Sequence, residues 1–152
     1  MRTVSLALLA FTVAAAAPAD DGVVKARSAY SMTETIDRIR QDVAGKGITF
    51  FSAIDQSKLA ADAGIALRPS TLLIFGNPAL GAQFVTSNPT AGLDWPVRLL
   101  VYQDANGAVW TAYTDFSWIA RRHHIEDRQV AFGKATEVIA SITSTVRARS
   151  PR

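Results

Sequence analysis

Two histidines stand side by side in the string His123-His124-Ile125-Glu126-Asp127, where imidazoles and carboxylates meet in sequence. Such groups can ligate a divalent metal or pass a proton. On a helix, His123 and Asp127 would share a face at i and i+4. Two ligands fall short of a catalytic zinc site, which takes three plus a water. The bland reading is a solvated polar connector, Arg121 to Asp127. A nucleophile is harder to place. Ser70 and Ser117 have no glycine-flanked elbow around them, and both histidines belong to one connector. The chain has no cysteine. That excludes disulfides, thiolate metal sites, a catalytic thiol and covalent haem attachment.

The other candidates bind rather than react. Asp94-Trp95-Pro96 places a carboxylate and an indole in a loop, and Arg98 follows in an apolar strand. A buried arginine is costly without an acid beside it, so Asp94 or Asp115 should pair with Arg98. The alternative partner is a ligand carboxylate or phosphate. Gly76-Asn77-Pro78 puts a helix start at a strand end, a place where anions can bind, although the Asn77 side chain already uses part of that donor set as a cap. Tyr102, Trp110 and Tyr113 sit on one hairpin, lining a pocket or packing across strands. The candidate ligand-binding residues are therefore Asn77, Asp94, Trp95, Arg98, Tyr102 and Tyr113. No residue is assigned a catalytic role, and no cofactor is called for.

The elements that must position these groups can be read in order. Val23 to Tyr30 alternates as a half-exposed strand. Ser31 and Glu34 form a capping box for a helix whose apolar stripe is Met32, Ile36, Ile39 and Val43. Ile48 to Ile54 is a second strand, and Asp55 caps a short helix. Thr71 to Gly76 is an apolar strand, followed by a helix from Asn77-Pro78 to about Val85. Asn88-Pro89, Gly92 and Pro96 mark an irregular loop. Val97 to Tyr102 and Val109 to Tyr113 flank an Asp104-Ala105-Asn106-Gly107 hairpin turn. Asp115 caps a turn holding Phe116, Trp118 and Ile119. A last helix runs from about Arg128 to Val146, and Arg147 onward should fray. This order predicts an α+β fold: two layers, a largely antiparallel sheet with helices on one face. Such a sheet should alternate cleanly if its second face meets water. Leu72-Leu73-Ile74-Phe75 and Leu99-Leu100-Val101-Tyr102 do not, so a second copy, the connecting loops or an apolar ligand should cover that face.

Length and apolar content fit one folded domain. Residues 1–19 read as a cleavable signal peptide: Arg2, an apolar run from Val4 to Ala17, and Ala17-Pro18-Ala19 before the cut. The expected address is periplasmic or secreted, with no stable membrane insertion. The domain is expected over 20–146, with a basic tail over 147–152. Setting aside Arg2, Arg147, Arg149 and Arg152 leaves twelve basic residues against thirteen acidic ones. A near-neutral domain lacks the basic stripe of a nucleic-acid binder. Three tail arginines at about 1 kcal/mol each would hold anionic lipid only weakly.

One stretch resembles a known family. Arg68-Pro69-x-x-Leu72-x-Ile74-Phe75-Gly76-Asn77-Pro78, Trp95-Pro96-Val97-Arg98-Leu99-Leu100-Val101-Tyr102 and Gly107-x-Val109-x-x-x-Tyr113-x-Asp115 are similar to the domain of unknown function 302 (DUF302) family. Gly47-x-x-x-Phe51-x-x-Ile54-Asp55, with Ala60 and Gly64, also fits. The resemblance covers Tyr30 to His124. It implies a small two-layer domain with a TATA-binding-protein-like strand, helix, strands, helix order, and it is compatible with a homodimer. It implies no activity, cofactor or catalytic residue. The chain departs from the family's pattern at Gly81-Ala82-Gln83, where a threonine and small residues are common, and at Phe116, where proline is common. The combined expectation is an exported, non-catalytic module that binds a small apolar or anionic ligand or pairs with itself. The alternative is a metal-assisted enzyme built on His123 and His124.

Overall fold

The computed structural model describes residues 20–148, so the signal-peptide expectation for residues 1–19 and the end of the tail lie outside the described residues. Five strands, β1 (Val23–Arg27), β2 (Thr49–Asp55), β3 (Ser70–Gly76), β4 (Val97–Gln103) and β5 (Val109–Thr114), form one sheet in the order β1-β5-β4-β3-β2. Every neighbouring pair is antiparallel. Five helices accompany it: α1 (Met32–Gly45), α2 (Gln56–Asp62), α3 (Pro78–Ser87), α4 (Phe116–Arg122) and α5 (Gln129–Ser144). The fold is α+β.

Local chemistry sets the element starts. Ser31, Asp55, Asn77 and Asp115 each accept the amide of the residue three further on, satisfying an orphan donor of the first turn. The Ser31 half of the capping box forms, while Glu34 turns outward to Arg38. The irregular loop contains a 3-10 turn, Pro89–Leu93, and the Trp95–Pro96 peptide is cis. Gly107 takes the left-handed backbone that closes the β4–β5 hairpin.

Period two divides the sheet. Leu73 pairs with Leu99, and Val101 with Thr111, on the face that carries the helices. There the buried stripe of α5 (Phe132, Ala135, Ile139, Ile142) meets Ile39 and Val43 of α1 and Phe116 and Ile119 of α4. Phe84 of α3 stacks on Phe132 with ring centroids 4.2 Å apart. Such a pair contributes about 1 kcal/mol beyond its buried area.

Two boundary expectations change. The chain does not fray at Arg147. Ala29 N–H bonds to Val146 O, and Ala148 N–H to Arg27 O, so the end of the described chain is tied to β1. Arg121 to Asp127 is not a solvated connector either: His123 and Ile125 are buried.

Candidate functional site

The predicted site residues fall in three places. Asn77 and Trp95 line a cleft at one corner of the sheet. Asp94 and Arg98 belong to a buried network just behind it. Tyr113 lies on the helix side of the sheet, and Tyr102 on the opposite face. The sequence spacing joined what the fold separates.

The network is built around Asp94, whose side chain is 3% exposed. Arg98 Nη2 donates to its Oδ1 at 3.0 Å, and Arg122 Nη1 reaches both oxygens, at 3.3 and 3.1 Å. His123 Nε2 lies 2.6 Å from Oδ2. The acid was expected as partner to a buried arginine. The burial is the reverse: Asp94 is inside, and the Arg98 side chain is 48% exposed. That arrangement is cheaper, because the long side chains bring charge to the carboxylate while keeping their outer donors in water. The other nitrogen of His123, Nδ1, sits 2.9 Å from Thr90 Oγ1, and Asn88 Nδ2 donates to His123 O at 2.8 Å. Together these contacts bolt the 3-10 turn to the end of α4.

Thr90, His123 and Asp94 have the order of a nucleophile, base and orienting acid. Two features argue against that chemistry: the carboxylate is shared with two guanidinium groups, which weakens its pull on the imidazole, and the Thr90 hydroxyl donates its one proton to Asn88 Oδ1 at 2.9 Å. Metal ligation by His123 meets a similar obstacle, since both ring nitrogens are engaged. His124 is exposed with φ +52°. Among the described residues, no group of three or more His, Asp or Glu side chains is placed to hold a metal.

The cleft is the larger feature, about 720 Å³, between α3 and α5 and floored by the end of β3 and the start of β4. Small residues create it. Ala79 and Gly81 on α3 and Ala131 and Ala135 on α5 are among its lining residues. Trp95 closes the floor. A Cβ at Gly81 would sit 1.9 Å from the Trp95 indole, so only glycine leaves room for the ring there, and one at Gly76 would make a tight 3.1 Å contact with Nε1. Phe51 meets the indole edge-on at 6.4 Å. Gly81, a departure from the resembled pattern, is thus the seat of the tryptophan. Phe116, the other departure, is core and lines the cleft's inner wall. Sequence reading missed the α5 side of this site. Its signal was the small residues at 131 and 135 beside the apolar stripe, with Lys134 between them.

A second hollow of about 560 Å³ lies on the opposite sheet face, where Leu67 and Pro69 rise beside Leu100 and Tyr102. The loop covers that corner. Leu72, Ile74 and Trp110 nearby are half-buried without a helix over them.

A two-layer α+β domain with an apolar corner cleft is the class that this geometry defines. The chain belongs to the family described as Domain of unknown function DUF302, matched over residues 24–148. It is 38% identical over 106 residues to the protein named fluoride-specific ion channel FluC 1 of Brucella suis, and equally to FluC 1 of Brucella abortus. The match takes in 70% of this chain and spans about two-fifths of those relatives. The crystal structure of an uncharacterized conserved DUF302 protein from Bacillus stearothermophilus shares the fold. Its TM-score is 0.76 at 18% identity, covering 84% of this chain and 99% of that one. No described helix is long and apolar enough to cross a membrane.

Proposed function

We propose that this chain is an exported, non-catalytic domain that binds a small apolar ligand in the cleft between α3 and α5. The observation that carries the reading is the cleft. Its volume of about 720 Å³ is within the usual range of small-molecule sites, and its walls are mainly apolar. Export rests on residues 1–19, with cleavage before Asp20. Asp20 suits a mature start because it is docked: its Oδ2 pairs with Arg121 at 2.9 Å and its carbonyl accepts the Trp118 indole N–H. The likeness to proteins named fluoride-specific ion channels supports a module that accompanies other machinery. Conduction is not proposed for this chain.

The test is native mass spectrometry of the exported protein, purified without an affinity tag, beside its Leu80→Trp variant, in which the cleft is filled. A mass beginning at Asp20 with a small-molecule adduct that the variant lacks is expected. An adduct-free protein that also fails to bind an apolar fluorescent dye more tightly than Leu80→Trp would end the ligand reading.

A second reading is self-association through the open sheet face, favoured by the half-buried Leu72, Leu100 and Tyr102. It is compatible with the first, because the two surfaces lie on opposite sides of the sheet.

A further inference from the structure

We infer that the cleft selects a monocarboxylic acid with an apolar body, its tail between α3 and α5 and its carboxylate at Lys134. The inference rests on the ligand reading above and specifies it. No Asp or Glu lines the cleft, while Lys46 and Lys134 both do. Their charges are not equivalent. Lys46 Nζ is 2.6 Å from both carboxylate oxygens of Asp42, so that pair is close to neutral. Lys134 makes no ion pair among the described residues. Lys134 is therefore the lining cation with no carboxylate bonded to it, which matches one negative charge on the ligand. A dianion would leave a charge unmatched beside an apolar wall, and a cation would be repelled.

The interior argues for the apolar body. Leu80, Val97 and Val138 offer no hydrogen bonds. The Trp95 indole Nε1–H, on the floor, makes no hydrogen bond among the described residues. Val130, at the first turn of α5, lines the rim and is 89% exposed. An apolar side chain so open at a cleft mouth gains cover when an alkyl or aryl group enters. A free acid fits better than a lipid surface, because the apolar surface is a recess between two helices rather than a protruding face.

The probes are dodecanoate, dodecanol and dodecyltrimethylammonium, held below micelle-forming concentrations, and titrated against the mature protein by calorimetry and tryptophan emission. Dodecanoate is expected to bind with a stoichiometry of one, at least about tenfold tighter than the alcohol, with no binding of the cation. Lys134→Glu should remove that tenfold preference and leave dodecanol binding unchanged, which also shows that the variant is folded. Leu80→Trp should abolish both. Equal affinity for acid and alcohol, or a preference that survives Lys134→Glu, overturns this inference while the ligand reading stands. Failure of every probe overturns both. Binding to anionic phospholipid vesicles with none to monomeric dodecanoate would overturn the free-acid assignment in favour of a membrane surface.

Discussion

Asp94 decides the stability of the site's back wall. Four donor contacts from three side chains converge on a carboxylate that water barely reaches. Asp94→Asn keeps the shape but turns one acceptor into a donor that faces His123 or an arginine. Loss of charged hydrogen bonds of this kind costs about 2 kcal/mol, so the urea midpoint should fall accordingly. An unchanged midpoint would mean that the network is ornamental to folding. Gly81 makes the complementary prediction. Gly81→Ala forces a methyl into the Trp95 ring, and overpacking typically costs about 1–3 kcal/mol. The same change in a Trp95→Ala background should cost nothing, a coupling that a denaturation cycle of the four proteins measures. An acid partner for Arg98 was legible in the sequence from an arginine in an apolar strand, but the choice between Asp94 and Asp115, and the burial of the acid rather than the arginine, were not. The burial of His123 was readable only in part. Phe116, Ile119 and His123 continue one helical stripe at spacings of three and four, but two arginines and a second histidine around it disguise the stripe as polar. The imidazole is buried because Asp94 and Thr90, distant in sequence, saturate it.

Elements were legible where a single residue type sets the boundary. Asn77-Pro78, Asp55 and Asp115 each announce a helix start, and each cap is made by the side chain that the sequence points to. The hairpin was equally plain from Asn106-Gly107. The return of Arg147 and Ala148 to β1 was not, because it depends on backbone pairing with a strand more than a hundred residues earlier. The hairpin also supplies a pH prediction. Trp110 Nε1–H donates to Asp104 Oδ2 at 2.8 Å, and that bond holds the Asp104 carboxyl below its ordinary value. A depressed carboxyl pKa contributes stability that is present above the unfolded value and lost as pH falls through the folded one. Relative to Asp104→Asn, the wild-type protein should therefore lead in melting temperature at about pH 5 and lose that lead towards about pH 2. A lead that stays constant over this window would show that the indole bond does not bias the titration.

At the scale of the whole molecule, the sheet has two apolar sides and helices on only one. Two-sided apolar strands were legible in sequence, since β3 and β4 show no alternation. The cleft was not, because its walls come from helices some fifty residues apart and its volume comes from what the side chains leave empty. Magnitudes constrain what the open face can do. Five strands of five to seven residues present a flat area on the order of 500 Å², whereas a stable dimer buries about 800 Å² on each partner. The sheet alone falls short, so pairing through this face must also recruit the connection after α2, where Leu67 is 50% exposed beside the Leu100 and Tyr102 hollow. Sedimentation velocity across a hundredfold range of concentration should then show a monomer–dimer equilibrium. Leu100→Lys and Leu67→Lys should each shift it to monomer, because each places a charge in the buried centre of the pair. Dodecanoate binding should persist in both variants, since the cleft lies on the other side of the sheet. A wild-type protein that stays monomeric over the whole range would assign the open face to its own loop and remove self-association from the account.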